Sequence, residues 1–273
     1  MPRGMTARLR KTLVEKPWGR VNLPSPFAQA DGRRIGEIWF DSDQSGLLVK
    51  FIFTDEKLSV QLHPTDDQTL ARGLGRQGKD ECWLILDARP GATIAIGFEE
   101  RHERAAIESA AKDGSIEDRL RWFPVTAGDF FYIPANTVHA IGAGVTLLEI
   151  QQDSNLTYRL FDYGRGRELH LHEALPIADL GPYDQSLHRR LAPQGSRTLV
   201  EGPRFRLDRL DDAPSSNTAD RYRGQPLLLI PLTEHCYIGH EEITFGDCGV
   251  ASNLNEVRLG TSARALIAQP MRN

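Results

Sequence analysis

Short apolar runs of strand length, separated by turn residues, dominate this sequence. We predict β-strands at 46–54, 58–63, 81–87, 92–97, 130–133, 145–151, 227–232 and 236–239, which are rich in Ile, Val, Leu, Phe and Trp. Glycine, proline and aspartate separate these runs, for example at 89–91 and 127–129. Only 66–74 and 102–112 have helical character. Many short strands joined by turns are typical of a β-sandwich or barrel, so the chain is predicted to be mainly β.

The length sets a limit on how many cores the chain can form. A chain of 273 residues is near the upper end of what one hydrophobic core supports, so we expect one large β domain or two packed halves. The stretch from Pro176 to about Arg197 has weak periodicity and contains proline, glycine and serine. We therefore predict a first domain at 1–175 and a second, β-rich domain at 176–273.

Composition excludes several classes of protein. The chain has 33 Lys+Arg and 37 Asp+Glu, a net charge of -4, which argues against a broad nucleic-acid-binding surface. No apolar run approaches the roughly 18–20 residues that span a bilayer, and no signal-peptide core follows the basic N-terminus. Cys82, Cys236 and Cys248 have no close spacing, so a disulfide framework is not expected. These features predict a cytoplasmic protein without nucleic-acid or membrane partners. They give no indication of the number of subunits.

A first polar cluster lies in the stretch 59–64, with sequence SVQLHP. Alternation along a strand places Ser59, Gln61 and His63 on one face and two apolar side chains on the other. A glutamine oxygen and a histidine nitrogen two residues apart can then converge on one metal ion. Pro64 fits the end of the strand, where no further backbone donor is needed.

A second cluster begins the next predicted strand. Lys79, Glu81 and Trp83 share one face by the same alternation. A carboxylate at the start of an apolar strand is costly to bury without a partner, so we expect Glu81 to meet a cation.

A third stretch ends in a histidine. From Gly128 to His139 a glycine turn leads into an aromatic strand, and a Pro-Ala-Asn turn follows. The pattern resembles the second cupin motif, Gly-x5-Pro-x-Gly-x2-His, with Asn136 at the second glycine. Asparagine tolerates the positive φ that such a turn requires.

Together, Gln61, His63, Glu81 and His139 supply two nitrogen and two oxygen ligands. That set suits Zn²⁺, with Mn²⁺, Fe²⁺ and Co²⁺ as competitors. Each residue alone has a simpler explanation, such as a hydrogen-bonded structural histidine or a charged residue at a strand edge. The four together, on strand-phase positions, predict a metal site.

Residues 15–175 resemble class I mannose-6-phosphate isomerases of the short bacterial type. These motifs and the stretch 148–165 occur in the same order as in that family. The resemblance implies a cupin jelly-roll barrel with few short helices, followed by a second, degenerate cupin-like half. It implies one Zn²⁺ per chain and the interconversion of mannose 6-phosphate and fructose 6-phosphate through a cis-enediol. Gln61, His63, Glu81 and His139 would bind the metal, Arg159 would be catalytic, and Ser59, Lys79 and, by a weaker match, Lys50 would bind substrate.

Two other interpretations remain open at this point. The first is a phosphosugar-binding cupin without turnover. The second is a metal cupin enzyme with another reaction, such as an isomerase for a different sugar phosphate or a dioxygenase. The residue that transfers the proton is not identified. His170 and His172 are predicted to share a strand face, with a structural or surface role.

Overall fold

A computed structural model describes residues 7–28, 31–41 and 45–271 of the chain. The strands in chain order are β1 (Lys11–Arg20), β2 (Ile35–Phe40), β3 (Leu47–Phe53), β4 (Val60–Leu62), β5 (Glu81–Ala88), β6 (Thr93–Phe98), β7 (Leu120–Pro124), β8 (Asp129–Ile133), β9 (His139–Ile141), β10 (Val145–Gln152), β11 (Tyr158–Phe161), β12 (His188–Arg190), β13 (Arg197–Glu201), β14 (Phe205–Leu210), β15 (Leu227–Pro231), β16 (Cys236–Ile238), β17 (Glu241–Ile243), β18 (Gly249–Ala251), β19 (Val257–Leu259) and β20 (Ala265–Pro270). The helices are α1 (Asp66–Ala71), α2 (Arg104–Asp113), α3 (Leu171–Ala174) and α4 (Ser216–Arg221), and short 3-10 turns lie at Ser115–Arg119, Gln185–Leu187 and Leu254–Glu256.

These strands form four antiparallel sheets. A seven-stranded sheet has the order β1-β2-β3-β10-β5-β8-β12, and a first five-stranded sheet has the order β11-β4-β9-β6-β7. A second five-stranded sheet, β13-β14-β20-β15-β18, and a three-stranded sheet, β17-β16-β19, follow later in the chain. The mainly β prediction is therefore confirmed.

The sheets are stacked because their strands carry apolar side chains toward their neighbours. Ile52 and Leu147 of the seven-stranded sheet share one buried cluster with Ile94 of the first five-stranded sheet. On the opposite face, Leu148 packs in a cluster with Leu228 of the second five-stranded sheet. The seven-stranded sheet is thus covered on both sides, which explains why all eight residues of β10 are buried.

Strand alternation places the polar residues of β10 between two sheets. Leu147 points into the space between the seven-stranded and first five-stranded sheets, and Glu149 and Gln151 follow it on the same face. A carboxylate is therefore carried into the interior of this two-sheet layer. The candidate site lies at that place.

The predicted strands agree with these boundaries except in two places, and the predicted helix at 66–74 ends earlier, at Ala71. The predicted strand 58–63 is shorter, because the chain leaves β4 before His63 and Thr65 caps α1 in a reciprocal pair of hydrogen bonds with Gln68. The predicted strand at His170 and His172 is wrong, because α3 begins at Leu171 and His170 is its N-terminal cap. The two side chains, two residues apart at the start of a helix, therefore point to different sides and do not share a strand face.

Cys82, Cys236 and Cys248 are buried and unpaired. In the ranges the structure describes, no helix has the length and apolar character needed to cross a membrane.

Candidate active site

Three buried side chains converge between the seven-stranded and first five-stranded sheets. His63, Glu81 and His139 each offer a ligand atom, and these atoms lie within 4.8 Å of one another. Nε2 of His63 is 3.4 Å from Glu81 Oε2, and Nε2 of His139 is 3.5 Å from Glu81 Oε1. Three of the four residues predicted from the sequence as ligands of one metal are thus brought together.

Turns at the strand ends hold these residues in place. Asn136 has a φ of 70°, and its backbone N–H donates to the His63 carbonyl at 2.7 Å. The turn before His139 is therefore tied to the turn after β4. Gly78 permits a second close approach, since a Cβ at this position would lie 2.4 Å from the Pro64 oxygen. Lys79 N–H bonds the same oxygen at 3.0 Å, which aligns the start of β5 with His63.

The two histidines present unprotonated Nε2 atoms to the cluster. Nδ1 of His63 donates to the Leu156 carbonyl at 2.8 Å, and Nδ1 of His139 donates to the Thr137 carbonyl at 2.9 Å. Burial and then the charge of Lys79 lower the pKa of both rings, that of His139 to about 4. Neutral rings with Nδ1–H have their lone pair on Nε2, which is the form that binds metals.

Glu81 supplies the oxygen ligands. Its side chain is 1% exposed, and its buried Oε1 has no hydrogen-bond partner among the residues that the structure describes. Burial raises the pKa of Glu81 more than the Lys79 ammonium group lowers it, so a further cation beside the carboxylate would favour its ionised form. Two ligands of a tetrahedral zinc ion are about 3.3 Å apart when the metal–ligand bonds are about 2.0–2.1 Å. The His63–Glu81 and His139–Glu81 distances match that spacing, so the donor set fits a divalent metal.

Gln61 adjoins the cluster with its amide. β4 and β9 pair so that Gln61 lies opposite His139, and its Nε2 is 3.4 Å from Nε2 of His139. Oε1 accepts a hydrogen bond from Ser59 at 3.0 Å. Amide oxygen and nitrogen exchange places on a half-turn of the side chain, which would direct the oxygen at the cluster. Gln61 thus lies at the edge of the cluster, next to His139.

Buried lysines and glutamates alternate beside the cluster. Lys79 Nζ is 2.6 Å from Glu81 Oε2 and 3.6 Å from Glu149 Oε1, and Lys50 Nζ is 3.2 Å from the same Glu149 oxygen. Burial alone would lower the pKa of Lys79, but the negative charges of Glu149 and Glu81 outweigh burial, and the pKa is raised. Burial would raise the pKa of Glu149, but Lys79 and Lys50 lower it. Glu149 therefore stays ionised and holds two ammonium groups in the interior.

A cavity of about 210 Å³ opens from these charges toward the surface. Its walls include every substrate-binding residue predicted above and Arg159. The lining residues are Lys16, Trp18, Glu37, Trp39, Lys50, Ile52, Leu58, Ser59, Gln61, Lys79, Glu149, Asn155, Thr157, Arg159, Arg167 and His170. Lysine and arginine side chains outnumber the two glutamates, so the cavity favours an anionic ligand.

Arg159 is placed on the wall by β11, which pairs with β4 at Gln61. Its Nη1 donates to the Glu168 carbonyl at 3.2 Å. No carboxylate of the described residues lies within ion-pair distance of the Arg159 guanidinium group. Arg167, by contrast, bonds both carboxylate oxygens of Asp162. A guanidinium group without a carboxylate partner is available to an anion in the cavity.

Sequence reasoning missed Glu149, Arg167 and His170. Glu149 had a usable signal, since an ionisable residue in the middle of the apolar run 145–150 is costly to bury without partners. Arg167 lies in a loop and His170 at a helix cap, where no periodic pattern indicates which way a side chain points. His170 accepts the Arg159 backbone N–H at 3.2 Å, a contact that only the fold creates.

Comparison with curated proteins identifies the family. The mannose-6-phosphate isomerase ManA of Bacillus subtilis (strain 168) is 33% identical over 221 residues, covering 74% of this chain and 69% of the relative. The chain belongs to the mannose-6-phosphate isomerase family. A mannose-6-phosphate isomerase of Streptococcus mutans is 38% identical over 167 residues, covering 58% of this chain and 52% of that relative. A scan against protein-family models gave no match.

Solved structures agree on the fold of the mannose-6-phosphate isomerase family. The crystal structure of the mannose 6-phosphate isomerase from Bacillus subtilis superposes with a TM-score of 0.79 and 22% identity, covering 96% of this chain and 98% of that one. A putative mannosephosphate isomerase from Archaeoglobus fulgidus gives 0.75 and 17% identity, covering 99% and 100%. The cupin-like architecture expected from the sequence is thereby confirmed.

Proposed function

We propose that this chain interconverts mannose 6-phosphate and fructose 6-phosphate with one zinc ion bound by His63, Glu81, His139 and Gln61. The observation that carries the proposal is the juxtaposition of the buried cluster and the cation-lined cavity. Lys79 and Gln61 contact the cluster and also line the cavity, so a ligand in the cavity reaches the metal position. Family membership supports the same reaction.

The cluster residues would hold the metal. Two neutral imidazoles, one carboxylate and one amide oxygen form a ligand set that zinc accepts, with room for a substrate oxygen. A zinc ion bound there supplies Lewis-acid polarisation of the substrate carbonyl. The Leu156 and Thr137 carbonyls keep each histidine in the required tautomer.

The charged walls would bind and orient the sugar phosphate. Arg159 is placed to stabilise the oxyanion of the cis-enediol or to hold the phosphate with paired N–H donors. Lys50 and Lys79, held by Glu149, add positive charge on the opposite wall. Ser59 fixes the Gln61 amide and lines the same cavity, where its hydroxyl can contact a substrate hydroxyl.

The cluster and the cavity lining all precede residue 176, which supports a catalytic domain at 1–175 and a ligand-free β-rich domain at 176–273. The strand β12, beyond residue 175, pairs with β8 and would connect the two. Buried, unpaired cysteines suit a reducing compartment, so we place the protein in the cytoplasm.

The test is turnover by metal-reconstituted protein. Mannose 6-phosphate is supplied and fructose 6-phosphate is measured, and the reaction is also run in reverse. Loss of turnover on chelation and its return with Zn²⁺ are expected. Absence of turnover from folded, zinc-loaded protein would refute the reaction; other sugar phosphates and binding without turnover are then examined.

A further inference from the structure

The ammonium group of Lys79 lies against two atoms of the metal cluster. Its Nζ is 2.6 Å from Glu81 Oε2 and 3.1 Å from His63 Nε2. The Lys79 side chain is 4% exposed, so these contacts are formed away from water. Lys79 is therefore in direct competition with any other cation for Glu81 and His63.

The competition at His63 is for a single lone pair. Nδ1 of His63 carries the proton donated to the Leu156 carbonyl, so the neutral ring has one lone pair, on Nε2. Lys79 Nζ is within hydrogen-bond distance of that atom. A metal ion coordinates through the same lone pair, so Lys79 and the metal cannot use it at the same time.

Glu149 offers Lys79 a second position. Its Oε1 lies 3.6 Å from Lys79 Nζ, and both side chains line the cavity. Glu149 is fixed by Trp83, whose Nε1 donates to Oε2 at 3.0 Å, and by Lys50 at 3.2 Å. An ammonium group that leaves His63 is thus retained by a buried carboxylate on the cavity wall.

We propose that Lys79 competes with the metal ion for His63 and Glu81, and that metal binding transfers its ammonium group toward Glu149 and the cavity. The site then binds metal more weakly than its ligands alone would. It also presents Lys79 to an anionic ligand when the metal is bound. This inference rests on the proposed function for the position of the metal, and it adds a role that the ligand set alone does not contain.

The experiment measures Zn²⁺ affinity by competition with a chromophoric chelator, without substrate. Lys79→Met is expected to bind Zn²⁺ more tightly than the wild-type chain by about tenfold or more, a usual size for coupling between two binding events. Lys50→Met is the matched control, because Lys50 is equally buried and contacts Glu149 but neither His63 nor Glu81. Equal tightening in both variants would show a general charge effect and would overturn the competition, as would unchanged or weaker binding in Lys79→Met.

Two further variants keep the test decisive. Lys79→Gln removes the charge with a smaller loss of polarity and replaces Lys79→Met if that variant does not fold by circular dichroism; it is expected to tighten binding too. Lys79→Arg keeps charge and donors and is expected to bind Zn²⁺ as weakly as the wild-type chain. Tightening in Lys79→Arg, or none in Lys79→Gln, contradicts the proposal.

Failure of this inference is distinguishable from failure of the proposed function. A wild-type chain that binds Zn²⁺ and turns over, with no tightening in the Lys79 variants, overturns the competition alone. A wild-type chain that binds Zn²⁺ without turnover, with tightening in those variants, refutes the reaction and leaves the competition intact. A wild-type chain that does not bind Zn²⁺ overturns both.

Discussion

Gln61 and His139 face each other across the pairing of β4 with β9, and the Gln61 amide lies 3.4 Å from Nε2 of His139. This contact places a neutral polar group at the edge of a cluster that otherwise consists of two histidines and a carboxylate. An amide adds affinity without adding charge. In the proposed site it would complete the coordination and leave one net positive charge at a divalent metal bound by Glu81.

Gln61→Ala is expected to weaken Zn²⁺ binding by about tenfold to a hundredfold, the range found when groups supporting a metal site are removed. The histidines and Glu81 would still bind the ion, so affinity falls but is not abolished. Chelator competition measures the change. Gln185→Ala, at an exposed glutamine outside the site, is the control. Unchanged affinity in Gln61→Ala would remove Gln61 from the ligand set.

His139→Ala and Arg159→Ala are expected to fail in different ways. His139 is a ligand in the proposal, so its loss removes metal and turnover together. Arg159 contacts no cluster atom, so Arg159→Ala keeps the metal while kcat falls about 10²–10³-fold, as when one preorganised donor to an oxyanion is lost. Metal analysis of the purified variants beside steady-state kinetics separates the two. Wild-type rates in Arg159→Ala would show that the arginine has no part in the reaction.

The local part of the site was predictable from sequence because it depends on strand alternation and turn chemistry. His63 and Glu81 are at strand ends, where a polar residue beside an apolar run indicates a partner. Asn136 has the positive φ expected for a residue in place of glycine. Each of these signals spans only a few residues, so one sequence contains it whole.

The rest depends on which strands become neighbours. Glu149 meets Lys50 and Trp83 because β10 lies between β3 and β5, with Glu149 opposite both residues. That order joins Glu149 to positions 66 and 99 residues away, and no pattern within β10 specifies it. His170 illustrates the opposite error, since polar alternation over three residues predicted a strand where a helix cap was formed.

Removal of the metal is expected to lower thermal stability. A ligand that binds only the folded state stabilises it by about 2.7 kcal/mol when present at a hundred times its Kd. The buried Glu81 oxygen without a donor would gain its partner in that complex. Differential scanning calorimetry with Zn²⁺ and with excess chelator measures the shift in Tm. His139→Ala should show almost no shift, and a wild-type Tm that is the same in both conditions would contradict a metal bound at this cluster.

Asn136 is expected to be important for stability through both its backbone and its side chain. Its φ of 70° is unfavourable for residues with a Cβ, and its Nδ2 donates to the His63 carbonyl at 3.1 Å and to Gln68 Oε1 at 2.8 Å. Asn136→Ala loses these bonds and is strained, so we expect a loss of about 2–3 kcal/mol in the free energy of unfolding.

Asn136→Gly separates the two contributions. Glycine adopts this φ without strain but loses more backbone entropy on folding, so on balance Asn136→Gly should be less destabilised than Asn136→Ala by up to about 1 kcal/mol. Urea unfolding gives both values. Because the amide also fixes the His63 carbonyl, both variants should bind Zn²⁺ more weakly than the wild-type chain. Equal stability of the alanine and glycine variants would show that the backbone conformation at this turn carries no energetic penalty.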